Sequence, residues 1–190
     1  MSSSFVAVFD ACVLYPAPLR DLLMHLSLTG LFRARWTARI HQEWIEAVLR
    51  NRPDLTREQL DWTRAQMDRA VPDCLVSDYE GIEATLSLPD PHDHHVLAAA
   101  IKCGAGAIVT YNLRDFPDEV LAPFGLHAQH PDEFIEHAFD LDPVAVCNAV
   151  RNLRTTLRNP PRPAAALLDT WQELGLASTV VALRPYGETL

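Results

Sequence analysis

The sequence predicts an α/β domain built on a parallel sheet and followed by a helical tail, and three observations carry that prediction. Phe5-Val6-Ala7-Val8-Phe9 and Ala107-Ile108-Val109, the latter followed by Thr110, are short, unbroken apolar runs, the pattern of strands buried on both faces. Between them lie segments whose apolar residues recur at helical spacing, and strands alternating with helices make a parallel sheet. Beyond about residue 140 the strand pattern stops and only helical spacing continues.

In chain order, the first strand ends at Asp10, and Pro16 and Pro18 interrupt the chain soon after it. Leu19, Leu22, Leu23 and Leu26 then share one helical face, closed by Gly30. Leu31 to Trp36 fits a short second strand. Thr37 is an N-cap for a helix through Arg50, with Ile40, Trp44, Ile45 and Val48 on its apolar face. Pro53 and Asp54 mark a loop. Thr56 to Gln59 has capping-box spacing and opens a helix to about Ala70. Leu75 to Ile82 fits neither pattern cleanly. Leu88-Pro89-Asp90-Pro91-His92 reads as a loop, and Asp93 caps or begins an alanine-rich helix that Gly104 and Gly106 end. Leu126 to Ala128 fits a further strand, and Pro131-Asp132-Glu133 starts a helix. In the tail, Asp142–Leu157 and Ala164–Leu174 read as helices joined by a linker over residues 159–163.

A chain of 190 residues with 48% hydrophobic and 22% charged residues buries a core without disulfides or structural metal. No run approaches the roughly 18 apolar residues of a membrane span, and the apolar opening has no basic leader. Cys12, Cys74, Cys103 and Cys147 are scattered with no CxxC pair, which predicts reduced thiols in a cytoplasmic protein. The net charge of −9 is unevenly spread. Residues 70–145 hold fourteen Asp and Glu against Lys102 and Arg114 alone, while both flanks are mildly basic through arginine. Arginine grips phosphate or carboxylate in a bidentate way; a solvated acidic surface is the plainer explanation of the same charge.

Four acidic residues share a telling context. Asp10 ends the first strand, Asp90 and Asp93 precede a helix, and Asp115 follows the Val109-Thr110 strand within Thr110-Tyr111-Asn112-Leu113-Arg114-Asp115-Phe116. Ligands of open parallel sheets bind at the carboxyl ends of strands. Gathered carboxylates repel one another, and a divalent cation relieves that repulsion. Oxygen donors without thiolate favour Mg²⁺ or Mn²⁺ over zinc. Each acid also has a purely structural explanation as a turn former or cap. Glu43 sits four residues after Arg39, where a surface salt bridge is the plain explanation, and Glu46 competes with it.

Val8-Phe9-Asp10-Ala11-Cys12-Val13-Leu14 resembles the opening motif of PIN domains, a strand delivering the first catalytic Asp. His41-Gln42-Glu43-Trp44 resembles the segment carrying the second acid. Leu88 to Ala100 resembles the third motif, in which Asp93 corresponds to the metal ligand and Asp90 is a frequent companion. Ile108 to Pro117 resembles the last, with Asn112 where many members carry Asp. The four occur in family order over about residues 5–135.

The resemblance implies a three-layer α/β/α fold with a central parallel sheet over residues 1–138 and a helical extension over 139–190, similar to that of one subgroup. It implies a Mg²⁺- or Mn²⁺-dependent endoribonuclease, most similar to VapC-type toxins silenced by a cognate antitoxin, and a homodimer. Asp10, Glu43, Asp90, Asp93 and Asp115 are its expected catalytic residues, with Asp10 and Asp93 on the metal. Thr110 and Asn112 are expected to orient the ligands behind them. Arg33, Arg35, Arg39, Arg50 and Arg52 are candidates for the RNA backbone, against the plain explanation of a solvated helix face. His92, His94 and His95 are expected to meet solvent or substrate rather than zinc. The rival from another class is a catalytically weak interaction module whose acidic pocket docks a basic protein. Phosphatases of the haloacid dehalogenase type want an acid where Cys12 stands, and receiver domains want a lysine after a late strand.

Overall fold

In the computed structural model, residues 5–158 and 160–190 are described. The chain runs β1 (Val6–Phe9), α1 (Ala11–Leu14), α2 (Ala17–Ser27), β2 (Arg33–Arg35), α3 (Ala38–Asn51), α4 (Arg57–Ala70), α5 (Glu80–Glu83), α6 (His94–Lys102), β3 (Ala107–Val109), α7 (Asp118–Leu121), β4 (His127–Gln129), α8 (Pro131–Leu141), α9 (Pro143–Thr156), α10 (Ala164–Glu173) and α11 (Ala177–Leu183). The four strands form one parallel sheet in the order β2-β1-β3-β4. The chain leaves β1 for β2 on one side and returns to β3 on the other. The strand order therefore reverses between β1 and β3, and a crevice opens where their carboxyl ends part.

The apolar runs form the sheet because both of its faces are covered. Ala7, Val8, Phe9, Ala107, Ile108 and Val109 are fully buried. Phe9 packs against Phe32, Trp36 and Phe134 with ring centroids 6.0, 6.4 and 5.8 Å apart, and α6 lies against β1 and β3. The helical tail adds to this core instead of forming its own: Val146, Leu153, Trp171 and Leu183 belong to the same buried cluster as Phe9. The boundary expected at 138/139 falls inside α8.

Several local readings hold. Thr37 caps α3 through Ile40 N at 3.0 Å, and Thr56 and Gln59 form the reciprocal capping box of α4. Others are corrected. The second strand is only Arg33–Arg35, and Trp36 makes an isolated parallel bridge to Leu75, so the segment after α4 touches the sheet edge before turning into α5. Asp93 makes no capping hydrogen bond; Asp90 accepts from His92 N at 2.9 Å and caps a short 3-10 turn that runs into α6. Of the expected 159–163 linker, Asn159 lies outside the described residues; Arg158 and Pro161 form a bridge.

Helix α11 has no clear sequence signal, since Thr179, Val180 and Val181 are poor helix formers. It forms because α8 caps it from outside: Asp132 accepts from Ser178 N and Thr179 N at 2.9 and 2.8 Å.

Candidate active site

A cleft of about 500 Å³ lies at the carboxyl ends of β1 and β3, lined by Asp10, Cys12, Tyr15, Glu43, Trp44, Asn51, Asp93 and Asn112 among others. Larger apolar cavities exist elsewhere, but this one gathers the acids that the chain order separates.

Asp10 is buried and tightly held. Its Oδ1 accepts from Ala11 N at 2.6 Å, and its Oδ2 accepts from Thr110 Oγ1 at 2.7 Å and from Cys12 Sγ at 3.1 Å. Thr110 Oγ1 in turn accepts from Asn112 N at 3.0 Å, and Tyr111 N donates to Cys12 Sγ at 3.3 Å. Two strand ends are thus laced together around one carboxylate. This results from register: Phe9 pairs with Val109, so the residues after each emerge side by side, and Asp10 N donates to Val109 O at 3.1 Å.

Asp93 is held quite differently. It is half-buried at the start of α6, with no capping role to occupy its oxygens. Burial first, and then the charges of Asp10, Asp90 and Asp115, push its carboxyl up from the usual 3.8 to about 6. The same coupling places Asp90 and Asp115 in the electrostatic reach of the cleft, although neither lines it.

Glu43 projects from α3 into the cleft. Its Oε1 stands 2.9 Å from His95 Nε2 and 3.4 Å from Arg39 Nε. The His95 contact lacks the alignment of a hydrogen bond, and neither nitrogen of this buried ring has a hydrogen-bond partner among the described residues. Glu46, the competing acid, instead accepts from Gln42 on the exposed side of α3. The histidines do not act as a set. His92 is exposed, His94 Nε2 accepts from Leu88 N at 3.0 Å, and His95 is buried against Glu43. Of the three expected to meet solvent or substrate, His95 is corrected, because its ring is buried.

Behind the cleft, α3 is fixed by a polar cluster that the sequence did not single out. Trp44 Nε1 donates to His41 Nδ1 at 2.9 Å, so the ring proton sits on Nε2, which donates to Asp68 Oδ1 at 2.8 Å. Trp36 Nε1 donates to the same oxygen at 2.8 Å. Burial lowers the His41 pKa against the pull of Asp68, and the neutral ring is what this tautomer requires. Arg20 stacks over Trp44 at 4.5 Å and donates to Leu14 O at 2.8 Å. Only tertiary contact joins Asp68 to His41, and no local spacing announces it. His95 did carry a signal: it lies two residues after Asp93 and leads the buried run through Ala100.

The expected arginines separate. Arg39 stands beside the cleft, held to Glu43 and, at 2.9 Å, to Glu83. Arg33 pairs in register with Val6, at the opposite end of the sheet from Asp10, and lies 3.9 Å from Asp73. Arg35 is partly buried beside β1.

The donor set fits a hard divalent ion. The cleft offers carboxylate oxygens, and burial together with Asp10 pushes the Cys12 thiol up to about 12, so it stays protonated and is no thiolate ligand. Among the described residues no group of three His, Cys, Asp or Glu side chains stands ready to hold an ion.

Comparison with known proteins agrees with the geometry. Residues 6–114 match the family described as PIN domain, and residues 131–185 match the one described as VapC50 C-terminal domain. The chain is 40% identical over 81 residues to "Putative ribonuclease VapC50" of Mycobacterium tuberculosis (strain ATCC 25618 / H37Rv). That match covers 43% of this chain and 48% of the relative, so it spans about half of either protein. No solved structure gives a significant match.

Proposed function

Because this chain belongs to the PIN-domain family, we propose that it is a Mg²⁺- or Mn²⁺-dependent endoribonuclease and the toxin of a toxin–antitoxin pair. One observation supports this above the rest: Asp10, Glu43 and Asp93, far apart in the chain, line a single cleft at the strand-order reversal, with Asp90 and Asp115 acting on Asp93. Clustered carboxylates at such a cost to the metal-free protein are the mark of a cation site.

Asp10 and Asp93 are the residues we assign to the ion. When bound, it supplies a Lewis acid that acidifies a water and neutralises charge on the scissile phosphate. Asp10 contributes a carboxylate whose orientation is fixed by Thr110, Cys12 and Ala11. Asp93 contributes one that is free to turn toward the ion. The contacts of Glu43 with Arg39 and His95 run through Oε1, and we assign Oε2 to water or ion in the cleft. Asp90 and Asp115 add negative potential at its rim. Thr110 holds Asp10, and Asn112 sits at the exposed lip beside the expected path of the RNA.

RNA contact falls to Arg39 first, with Arg50 and Arg52 at the far end of α3, near Asn51 of the cleft; Arg33 and Arg35 take part only if the RNA wraps the sheet edge. The negative cleft also suits an antitoxin that presents arginine, and a second copy of the chain completes the proposed assembly. Among the described residues no helix is long and apolar enough to cross a membrane.

Mapping RNA ends in cells expressing the chain or its Asp93→Asn variant tests the proposal. New ends that require Asp93, reproduced with purified protein only when Mn²⁺ or Mg²⁺ is added, are expected. Wild-type protein that cuts no RNA with either ion favours the docking module instead.

A further inference from the structure

The helical tail meets the segment beside the cleft through Tyr111. Tyr111 lies between Thr110, which holds Asp10, and Asn112, which lines the cleft. Its hydroxyl donates to the carbonyl of Leu174 at 2.9 Å. Its own N–H donates to Cys12 Sγ, and its ring meets His130 edge-on at 5.1 Å.

Leu174 is a firm anchor because the turn around it is pinned. Leu174 N donates to Thr170 O and Trp171 O, Gly175 N to Gln172 O and Leu176 N to Trp171 O. Gly175 takes φ +82°, a conformation that side chains rarely adopt, and Leu176 is fully buried. The helices on either side are tied down as well. Trp171 Nε1 donates to Pro18 O at 3.1 Å, and Asp132 caps α11. A rigid turn of the tail therefore holds the residue that follows Thr110 and donates to Cys12, two of the groups that bind Asp10.

We propose that Tyr111 is a positioning residue through which the tail sets the Asp10–Thr110–Asn112 geometry, so that the extension is a working part of the metal-binding site. A hydrogen bond from the hydroxyl fixes where the 110–112 backbone lies. That backbone fixes the two donors on Asp10 Oδ2 and the lip residue Asn112. Residues that orient a metal ligand change metal affinity or activity by about 10–100-fold when removed. The kinetic consequence rests on the nuclease reading above; the metal-binding consequence does not.

Tyr111→Phe removes the hydroxyl and keeps the ring on His130. Mn²⁺ titration of the metal-free protein, followed calorimetrically, is expected to show about tenfold weaker binding. Cleavage of an end-labelled, randomised single-stranded RNA at saturating Mn²⁺ is expected to slow by a similar, about tenfold, factor. Val146→Ala is the control, since it opens a cavity under α9, away from the turn at Leu174, and lowers the thermal midpoint while leaving Mn²⁺ affinity unchanged. Wild-type Mn²⁺ affinity in Tyr111→Phe overturns the inference, and so does an equal loss in Val146→Ala, which would reveal general loosening. If the wild-type protein binds Mn²⁺ but cuts no RNA, the nuclease reading fails while the titration still decides the role of Tyr111.

Discussion

Two sides of the same cleft hold their acids in opposite ways. At the strand ends, Asp10 is buried and accepts from Ala11, Cys12 and Thr110. Across from it, at the start of α6, Asp93 has no cap to make and carries a carboxyl pushed up to about 6. One side is satisfied without a ligand; the other is under electrostatic load, which the cation proposed above would relieve. On that proposal the contrast gives rigidity to the strand ends and responsiveness to the helix start, which suits an exchangeable ion held without a preformed cage.

The largest effects that probe this contrast come from neutralising each acid. Asp10→Asn and Asp93→Asn are both expected to slow RNA cleavage by roughly 10²–10³-fold. Their effects on the metal-free fold should have opposite signs. Asparagine at 10 turns an amide N–H₂ toward donors that now meet an oxygen, costing about 1–3 kcal/mol. Asparagine at 93 removes repulsion and raises the thermal midpoint at neutral pH. Calorimetry of both variants without metal checks this, and a fall for both would break the comparison.

A smaller effect is expected at Thr110, which supports Asp10 without lining the cleft. Thr110→Val takes the donor from Asp10 Oδ2 and the acceptor from Asn112 N, and should lower cleavage about tenfold. Metal affinity should fall in parallel, measured by Mn²⁺ titration; unchanged affinity would show that Asp10 needs no such support.

Acidity offers a reading of the loaded side alone. The folded Asp93 carboxyl titrates at about 6 against an ordinary 3.8, so the native state binds the extra proton between those values. The contribution of Asp93 to metal-free stability is therefore fully present below about pH 3.8 and lost as pH rises through about 6. Thermal midpoints of the wild type and Asp93→Asn, compared across this window, should diverge in favour of the variant as pH rises. His41 slopes the other way: burial lowers its pKa, so its stability is present above the usual 6.5 and is lost as pH falls below it. Taking the difference between the two proteins cancels that background.

The smallest effect is expected behind the cleft. Asp68→Asn leaves Oδ1 able to accept from Trp36 and His41 and removes only its charge. The loss should be about 0.5–1.5 kcal/mol in a denaturant titration, with cleavage nearly unchanged. A large loss of activity would mean that α3 transmits more to Glu43 than position.

Particular residues show how far the sequence could be read. The apolar runs before Asp10 and Thr110 are strands, the caps at Thr37 and Thr56 are where spacing put them, and the parallel order follows from strand–helix alternation. Such features depend on neighbours a few residues away. In the sequence only resemblance separates Glu43 from Glu46, because three residues along a helix give no chemical distinction; the packing of α3 turns Glu43 into the cleft and Glu46 toward Gln42. The capping role went to Asp90 instead of Asp93, since both fit the local pattern and only the 3-10 turn separates them. Arg33 and Arg39 are close in sequence, yet β2 carries Arg33 to the far end of the sheet from Arg39.

The chain by itself determined the parallel α/β core, its capped helices and the acids that end its elements, because apolar periodicity and capping are local and act wherever the chain is. Tertiary structure alone decided which carboxylate is satisfied and which is strained, that His95 faces Glu43, and that a turn of the tail grips Tyr111. Those outcomes depend on electrostatics and hydrogen bonds between residues far apart in the chain, which register and packing bring together and no sequence spacing encodes.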